Sequence, residues 1–314
     1  MPNRQVFSLA TLIKRLKHGR PPAQAILNIT EPGGSGVKCA VSLFHGVRPI
    51  DAERIFIYSR GFIALPAFRR EASPRKGGGI RWIHTLLQHD ILAYAPWVTF
   101  DYPDTSSYAD FGQDFDTACL KLVVDTVKQY NPQAKITLVG MCRGAHTILR
   151  YLASHNDTMI DTLILESPYA QVNELVDTIA DNYMRSYIGS GARTVFQKLF
   201  GWYYPGFKPE HDNLLDLVAT IKDKKILIGH GTPDKVVAHG DVFNLVQKLR
   251  VNNDVHFFVT DHEPGKGHGS LAYSGPFRQV TNAFCAHCNF PHHPSLALAG
   301  DTHFHLSRQP RLCA

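Results

Sequence analysis

From Ile55 onward the chain alternates short apolar runs with longer stretches whose apolar residues recur at helical spacing. The runs are Ile55-Phe56-Ile57-Tyr58, Trp97-Val98-Thr99-Phe100, Ile136-Thr137-Leu138-Val139, Leu163-Ile164-Leu165, Ile226-Leu227-Ile228 and Val255 to Val259. Each has strand length and is apolar at successive positions, so both of its faces need cover. Helical patterns lie between them. Ile80, Ile83, Leu86 and Leu87 follow a Gly77-Gly78-Gly79 break, and Phe115, Ala118, Leu122 and Val123 are stopped by Asn131-Pro132. Ala145 to Leu152, Val242 to Leu249, and a last helix opened by Pro276 and running to about Cys285 complete the set. Strands alternating with helices predict βαβ units, hence an α/β domain with a mainly parallel sheet and helices on both faces. In such a sheet reactive groups belong at the carboxyl ends of the strands.

The alternation breaks between Ser167 and Lys222, where helices and aromatic turns carry Tyr183, Tyr187, Phe200, Trp202, Tyr203 and Tyr204. The stretch is too long for a plain crossover and reads as a helical lid inserted at about 168–222, with extra scaffold as the alternative. The expected division is a basic N-terminal segment (1–35), the α/β domain (36–284) and a His- and Cys-containing tail (285–314). In the first segment Arg4, Lys14, Arg15, Lys17 and Arg20 precede the first acid, Glu31, while Leu9, Leu12, Ile13 and Leu16 share a helical face. This pattern fits a surface helix packed on the domain, a peripheral membrane contact through residues 9–20, or an organelle-targeting peptide, against which the scarcity of Ser counts.

Composition narrows the class. A chain of 314 residues, 44% hydrophobic and 19% charged, can bury a core without disulfides. Its net charge of +6 is spread along the sequence, which argues against a nucleic-acid partner. Cys39, Cys119, Cys142, Cys285, Cys288 and Cys313 are scattered and no secretory signal precedes them, so a reducing, cytoplasmic setting is expected. Cys285-Ala286-His287-Cys288 is followed by His292, His293, His303 and His305, but no second CxxC or ordered Cys–His spacing accompanies it. No metal centre and no cofactor is therefore expected.

The chemistry concentrates at Gly140-Met141-Cys142-Arg143-Gly144, a G-x-C-x-G turn between a strand and a helix. A sharp turn of this kind needs small flanking residues and leaves its middle side chain standing above the sheet. The helix that follows points its N-terminus at that side chain, and its field favours an anion, the reactive form of a thiol. Cys142 is the candidate nucleophile, and the backbone N–H of Arg143 is one candidate oxyanion donor.

These features resemble the α/β-hydrolase superfamily, with Cys142 in place of the usual Ser, as in dienelactone hydrolase-like members. Phe100-Asp101-Tyr102-Pro103 and Leu165-Glu166-Ser167-Pro168 further resemble the D-Y-P and E-S-P turns of a branch of lipid and acyl-protein hydrolases. Asp104 departs from that branch, which usually has Gly there. The resemblance runs from about Ile55 to Phe284 and implies the order nucleophile, acid, histidine. It makes Asp234, in the turn Gly231-Thr232-Pro233-Asp234 after a late strand, the acid that orients the imidazole, with Glu166 as the alternative. It makes His268, in the turn Gly265-Lys266-Gly267-His268-Gly269, the general base. Arg60-Gly61-Phe62 resembles the family's H-G-F, which implies Phe62 N–H as the second oxyanion donor and Arg60 and Gly61 as substrate-binding residues.

A thiolate attacks a carbonyl readily but also leaves readily, so a Cys hydrolase favours thioesters, enol esters, lactones and other activated acyl groups. The expected function is a hydrolase of ester or thioester bonds acting through a covalent acyl-thioenzyme, on a small-molecule or lipid-like acyl substrate. The alternatives are an acyltransferase on the same triad and a catalytically retired binding protein.

Overall fold

The computed structural model describes residues 24–30, 36–44, 52–61, 97–102, 110–212, 214–261 and 267–288. The amphipathic pattern at 9–20, the expected helix through Ile80, Ile83, Leu86 and Leu87, Phe62, Asp104 and the tail after Cys288 lie outside the described residues.

Eight strands form one sheet: β1 (Gln24–Thr30), β2 (Gly36–Phe44), β3 (Arg54–Ser59), β4 (Trp97–Asp101), β5 (Lys135–Met141), β6 (Ile160–Glu166), β7 (Lys225–Gly231) and β8 (Asp254–Thr260). Their order is β1-β2-β4-β3-β5-β6-β7-β8. The six strands from β4 to β8 in this order are parallel, while β1 pairs β2 and β2 pairs β4 antiparallel. The antiparallel pair is absent from the run pattern, because Asn28, Thr30, Lys38 and Ser42 interrupt its apolar residues. β1 therefore enters the sheet from within the segment assigned to the basic N-terminus.

The helices are α1 (Asp114–Tyr130), α2 (Arg143–His155), α3 (Val172–Ile179), α4 (Ala192–Tyr203), α5 (His239–Leu249) and α6 (Gly275–His287), with single helical turns between α3 and β7. Successive strand residues point to opposite faces, and this divides the core in two. Ile55, Ile57, Ile136, Leu138, Leu163 and Leu165 pack with α1, α2 and α5. Phe56, Tyr58, Val139, Ile164 and Leu227 pack with Phe277, Phe284 and Cys285 of α6. Phe277 and Phe284 are both 0% exposed, and burial of each stabilises the second face by roughly 1.5–3 kcal/mol. β8 departs from the expectation of two covered faces: it is the edge strand, and Val259 is 39% exposed.

From β3 the chain adds β4 on one side, then crosses back to add β5 on the other. The connections thus diverge between β3 and β5, where the crevice at the carboxyl ends of an α/β sheet opens. Ser59 lies opposite Gly140 there, two residues before Cys142. Among the described residues no helix is long and apolar enough to cross a membrane.

Candidate active site

Cys142 follows β5 with φ 51° and ψ −116°. This backbone conformation costs a non-glycine residue about 1–3 kcal/mol and persists only where its surroundings enforce it. Here the Cys142 N–H donates to Glu166 O at 2.9 Å, and the His146 N–H donates to Cys142 O at 3.0 Å, closing the first turn of α2. The flanking glycines are required by close approach. A Cβ on Gly144 would lie 2.0 Å from Ser59 O, and one on Gly140 would lie 2.8 Å from Ala145 N. The turn after β3 passes the same point, since a Cβ on Gly61 would lie 3.5 Å from Cys142 Cβ. That places Arg60-Gly61 beside the elbow.

The histidine turn reaches the elbow from the other side. Gly269 has φ +72°, and a Cβ there would meet Met141 Sδ at 3.1 Å. His268 Nδ1–H donates to Asp234 Oδ2 at 2.8 Å, and the ring also lies close enough to Cys142 to interact with its side chain. With Nδ1 given to Asp234, Nε2 is the nitrogen left for Cys142. Burial lowers the basicity of His268, but the charge and hydrogen bond of Cys142 and those of Asp234 overcome it and raise the imidazole well above its ordinary pKa. Burial likewise raises Asp234. The His268 contact, together with the Val236 and Val237 amides, outweighs it and holds the carboxyl below its ordinary value. Those amides donate to Asp234 Oδ1 at 2.8 and 3.0 Å, fixing the carboxylate plane.

Glu166 serves the same turn differently. Its carboxylate accepts the Leu271 N–H at 2.9 Å, three residues after His268, while its backbone oxygen holds Cys142. It braces both Cys142 and the histidine turn, and Asp234 is the carboxylate on the imidazole. Arg60 is 8% exposed and donates to Tyr102 O at 3.4 Å. Phe62, the expected second oxyanion donor, is outside the described residues.

No protein-family model matches the chain, and no curated protein matches it. Solved structures do, over most of its length. The esterase Pf2001 of Pyrococcus furiosus superposes with a TM-score of 0.59 at 18% identity, covering 91% of this chain and 96% of that one. Est1E from Butyrivibrio proteoclasticus gives 0.51 at 17% identity, covering 84% and 97%. XC6422 from Xanthomonas campestris, described as an a/b serine hydrolase without lid, gives 0.50 at 15% identity, covering 88% and 99%. The chain has the α/β-hydrolase fold.

On this α/β-hydrolase scaffold several supporting residues have no signature in the sequence. The Arg143 side chain, 0% exposed, pairs with Asp116 through Nε and Nη2, both at 2.5 Å, and its guanidinium lies 4.7 Å from the Tyr102 ring centroid. Asp116 also accepts the Gly112 N–H at 2.7 Å. His230, at the end of β7, sits 3.1 Å from Ser167 Oγ and 4.0 Å from Asp234 Oδ2; burial pushes it down to about 4, so it is a neutral neighbour of the acid. The glycines around His230 hint at a special position but not at a partner.

His146, one turn into α2, is stacked on Tyr169 with ring centroids 4.4 Å apart, and its Nδ1 is 2.9 Å from Tyr169 O. Burial pushes its pKa from 6.5 down to about 3. Below about pH 6.5 the unfolded chain binds a proton here that the native state refuses. His146 therefore takes stability away as pH falls toward about 3, by up to about 1.4 kcal/mol per pH unit. His146→Phe removes this linkage. In urea titrations from neutral pH to about pH 4, the stability of wild type relative to the variant should fall steadily; a constant difference would mean that His146 is charged in the native state.

The CxxC cysteines are apart from this site. Cys285 and Cys288 are buried thiols; burial pushes Cys285 up strongly and Cys288 up to about 11.

Proposed function

We propose that the chain hydrolyses ester or thioester bonds of acyl substrates through Cys142, His268 and Asp234, by way of a covalent acyl-thioenzyme. The observation that carries the proposal is one continuous contact line: Asp234 Oδ2 to His268 Nδ1 at 2.8 Å, and the same ring to the sulfur of a strained strand–helix turn. The esterases among the structural neighbours support the reaction class.

His268, more basic than an ordinary imidazole, takes the Cys142 proton, and attack starts from the ion pair so formed. The thiolate adds to the acyl carbon and the carbonyl π pair moves onto oxygen, where the N–H groups of Arg143 and Phe62 receive it. As the intermediate collapses, the C–S or C–O bond to the leaving group breaks and His268 Nε2 protonates the departing atom. Neutral His268 then takes a proton from water as the oxygen attacks the thioester. The second collapse expels the Cys142 thiolate and releases the acid, which restores the starting ion pair. Asp234 keeps Nδ1 protonated throughout. Thioesters suit this route because the leaving thiolate competes evenly with Cys142.

The acyl chain lies against the helical insertion. Phe200, Tyr204 and Phe207 pack around Phe111, with centroids 4.7, 4.9 and 6.5 Å from it. Tyr187 (84% exposed) and Trp202 (80% exposed) leave further aromatic surface for an apolar group. Acid quenching during turnover of an acyl thioester, followed by intact and peptide mass spectrometry, should find one acyl group on Cys142. Iodoacetamide should likewise modify Cys142, beside the His268 imidazole, before Cys285 and Cys288, whose thiols burial keeps protonated. An acyl adduct elsewhere, or fastest alkylation at another cysteine, would count against the proposal.

A further inference from the structure

A second cluster of ligand-type side chains lies at the other end of the sheet. Asp254 and His256 are two apart on β8 and so share a face. α6 covers that face: Phe258 packs on Phe277 with centroids 5.5 Å apart, and His256 packs on Phe284 at 5.4 Å. The last turn of α6 brings His287 alongside, its ring centroid 5.6 Å from that of His256. One ligand atom from each of Asp254, His256 and His287 falls within 4.8 Å of the other two.

We infer that Asp254, His256 and His287 form a binding site for a divalent transition metal of the zinc class. The separations argue for it. His256 Nε2 is 3.4 Å from Asp254 Oδ1, and His287 Nε2 is 3.6 Å from Asp254 Oδ2. These exceed the 2.7–3.2 Å of ordinary N–H···O hydrogen bonds. The two imidazoles thus face one carboxylate, one at each oxygen, at spacings near the about 3.4 Å that separates neighbouring ligand atoms on a metal with bonds of about 2.1 Å. His287, whose side chain is 48% exposed at the helix end, has room to turn toward the oxygen that His256 faces when an ion binds. His256, with a side chain 13% exposed, is held in place by its ring contacts. Two imidazoles and a carboxylate suit zinc, with water as the fourth ligand.

The position assigns the site a structural role. Asp254 pairs with Lys225 at the amino ends of the parallel strands, whereas Cys142 stands at their carboxyl ends. A metal here ties edge strand β8 to the end of α6, the helix that follows the His268 turn.

The test uses the full chain, stripped with chelator and titrated with zinc chloride by calorimetry, and with cobalt(II) for its absorption spectrum. Wild type, His256→Gln, His287→Ala and a variant with His292, His293, His303 and His305 all changed to alanine are compared. His287 is on the surface, so its alanine variant keeps the fold. The expected result is one saturable zinc per chain in wild type and in the tail variant, and a rise in melting temperature with zinc concentration. Both effects are lost in His287→Ala and His256→Gln. The cobalt complex should show no thiolate charge-transfer band. Absence of binding in wild type, full binding in both single variants, loss of binding in the tail variant, or a thiolate band would each overturn the assignment.

Discussion

Cys142→Ala lowers kcat for an acyl thioester by about four to six orders of magnitude, the loss seen when a nucleophile is removed from a comparable triad. The KM changes far less, because the residues that line the acyl site are untouched. The size follows from the geometry. Without sulfur at position 142 the imidazole can only activate water, and the elbow's strain and the helix field act on nothing. His268→Ala should cost nearly as much, and the double variant little more than either, because the two groups act as a unit. Cys142→Ser is the more informative companion: an alkoxide leaving group competes poorly with a departing thiolate, so any residual activity should shift toward esters more in Cys142→Ser than in wild type. Steady-state kinetics on a thioester and its matching oxygen ester decide the matter, and undiminished thioester turnover in Cys142→Ala would remove Cys142 from the mechanism.

Asp116→Ala destabilises the fold by about 3–5 kcal/mol, the range for removing one partner of a buried pair. Asp116 and Arg143 are both 0% exposed, and two nitrogens of Arg143 meet the two carboxylate oxygens of Asp116. The variant takes the carboxylate from a buried guanidinium beneath the residue whose N–H is the proposed oxyanion donor. By contrast the Arg193–Asp181 pair lies on exposed surface of the helical insertion, and its loss should be nearly silent. Chemical denaturation midpoints of the two variants measure both effects. Replacing Asp116 and Arg143 together by Leu and Met recovers much of the stability if burial of an unmatched charge is the cause. If Asp116→Ala is no more harmful than Asp181→Ala, then water reaches Arg143 and the pair is not a buried one.

Much of the candidate site is legible in the amino-acid sequence. The G-x-C-x-G turn is a local demand of backbone geometry, and Gly144, with no room for a Cβ against Ser59 O, shows why the motif needs glycine there. Asp234 and His268, the acid and base that the order of the motifs implies, meet at 2.8 Å. Glu166, the alternative acid, instead holds Leu271, a partner 105 residues away that no spacing indicates. The Asp116–Arg143 pair, the His146–Tyr169 stack and the Asp254–His256–His287 cluster are invisible in the sequence for the same reason.

By itself the sequence determined the parallel strands, through apolar runs that only a doubly covered sheet can bury, and the turn that strains Cys142, through small residues flanking one cysteine. Both are properties of a few neighbouring residues, so local chemistry is enough to specify them. The tertiary structure decided the antiparallel start of the sheet, which carboxylate serves the imidazole and which braces it, and which charges and rings are buried together. Those depend on strand order and register, which bring residues together across long loops and leave no periodic trace along the chain.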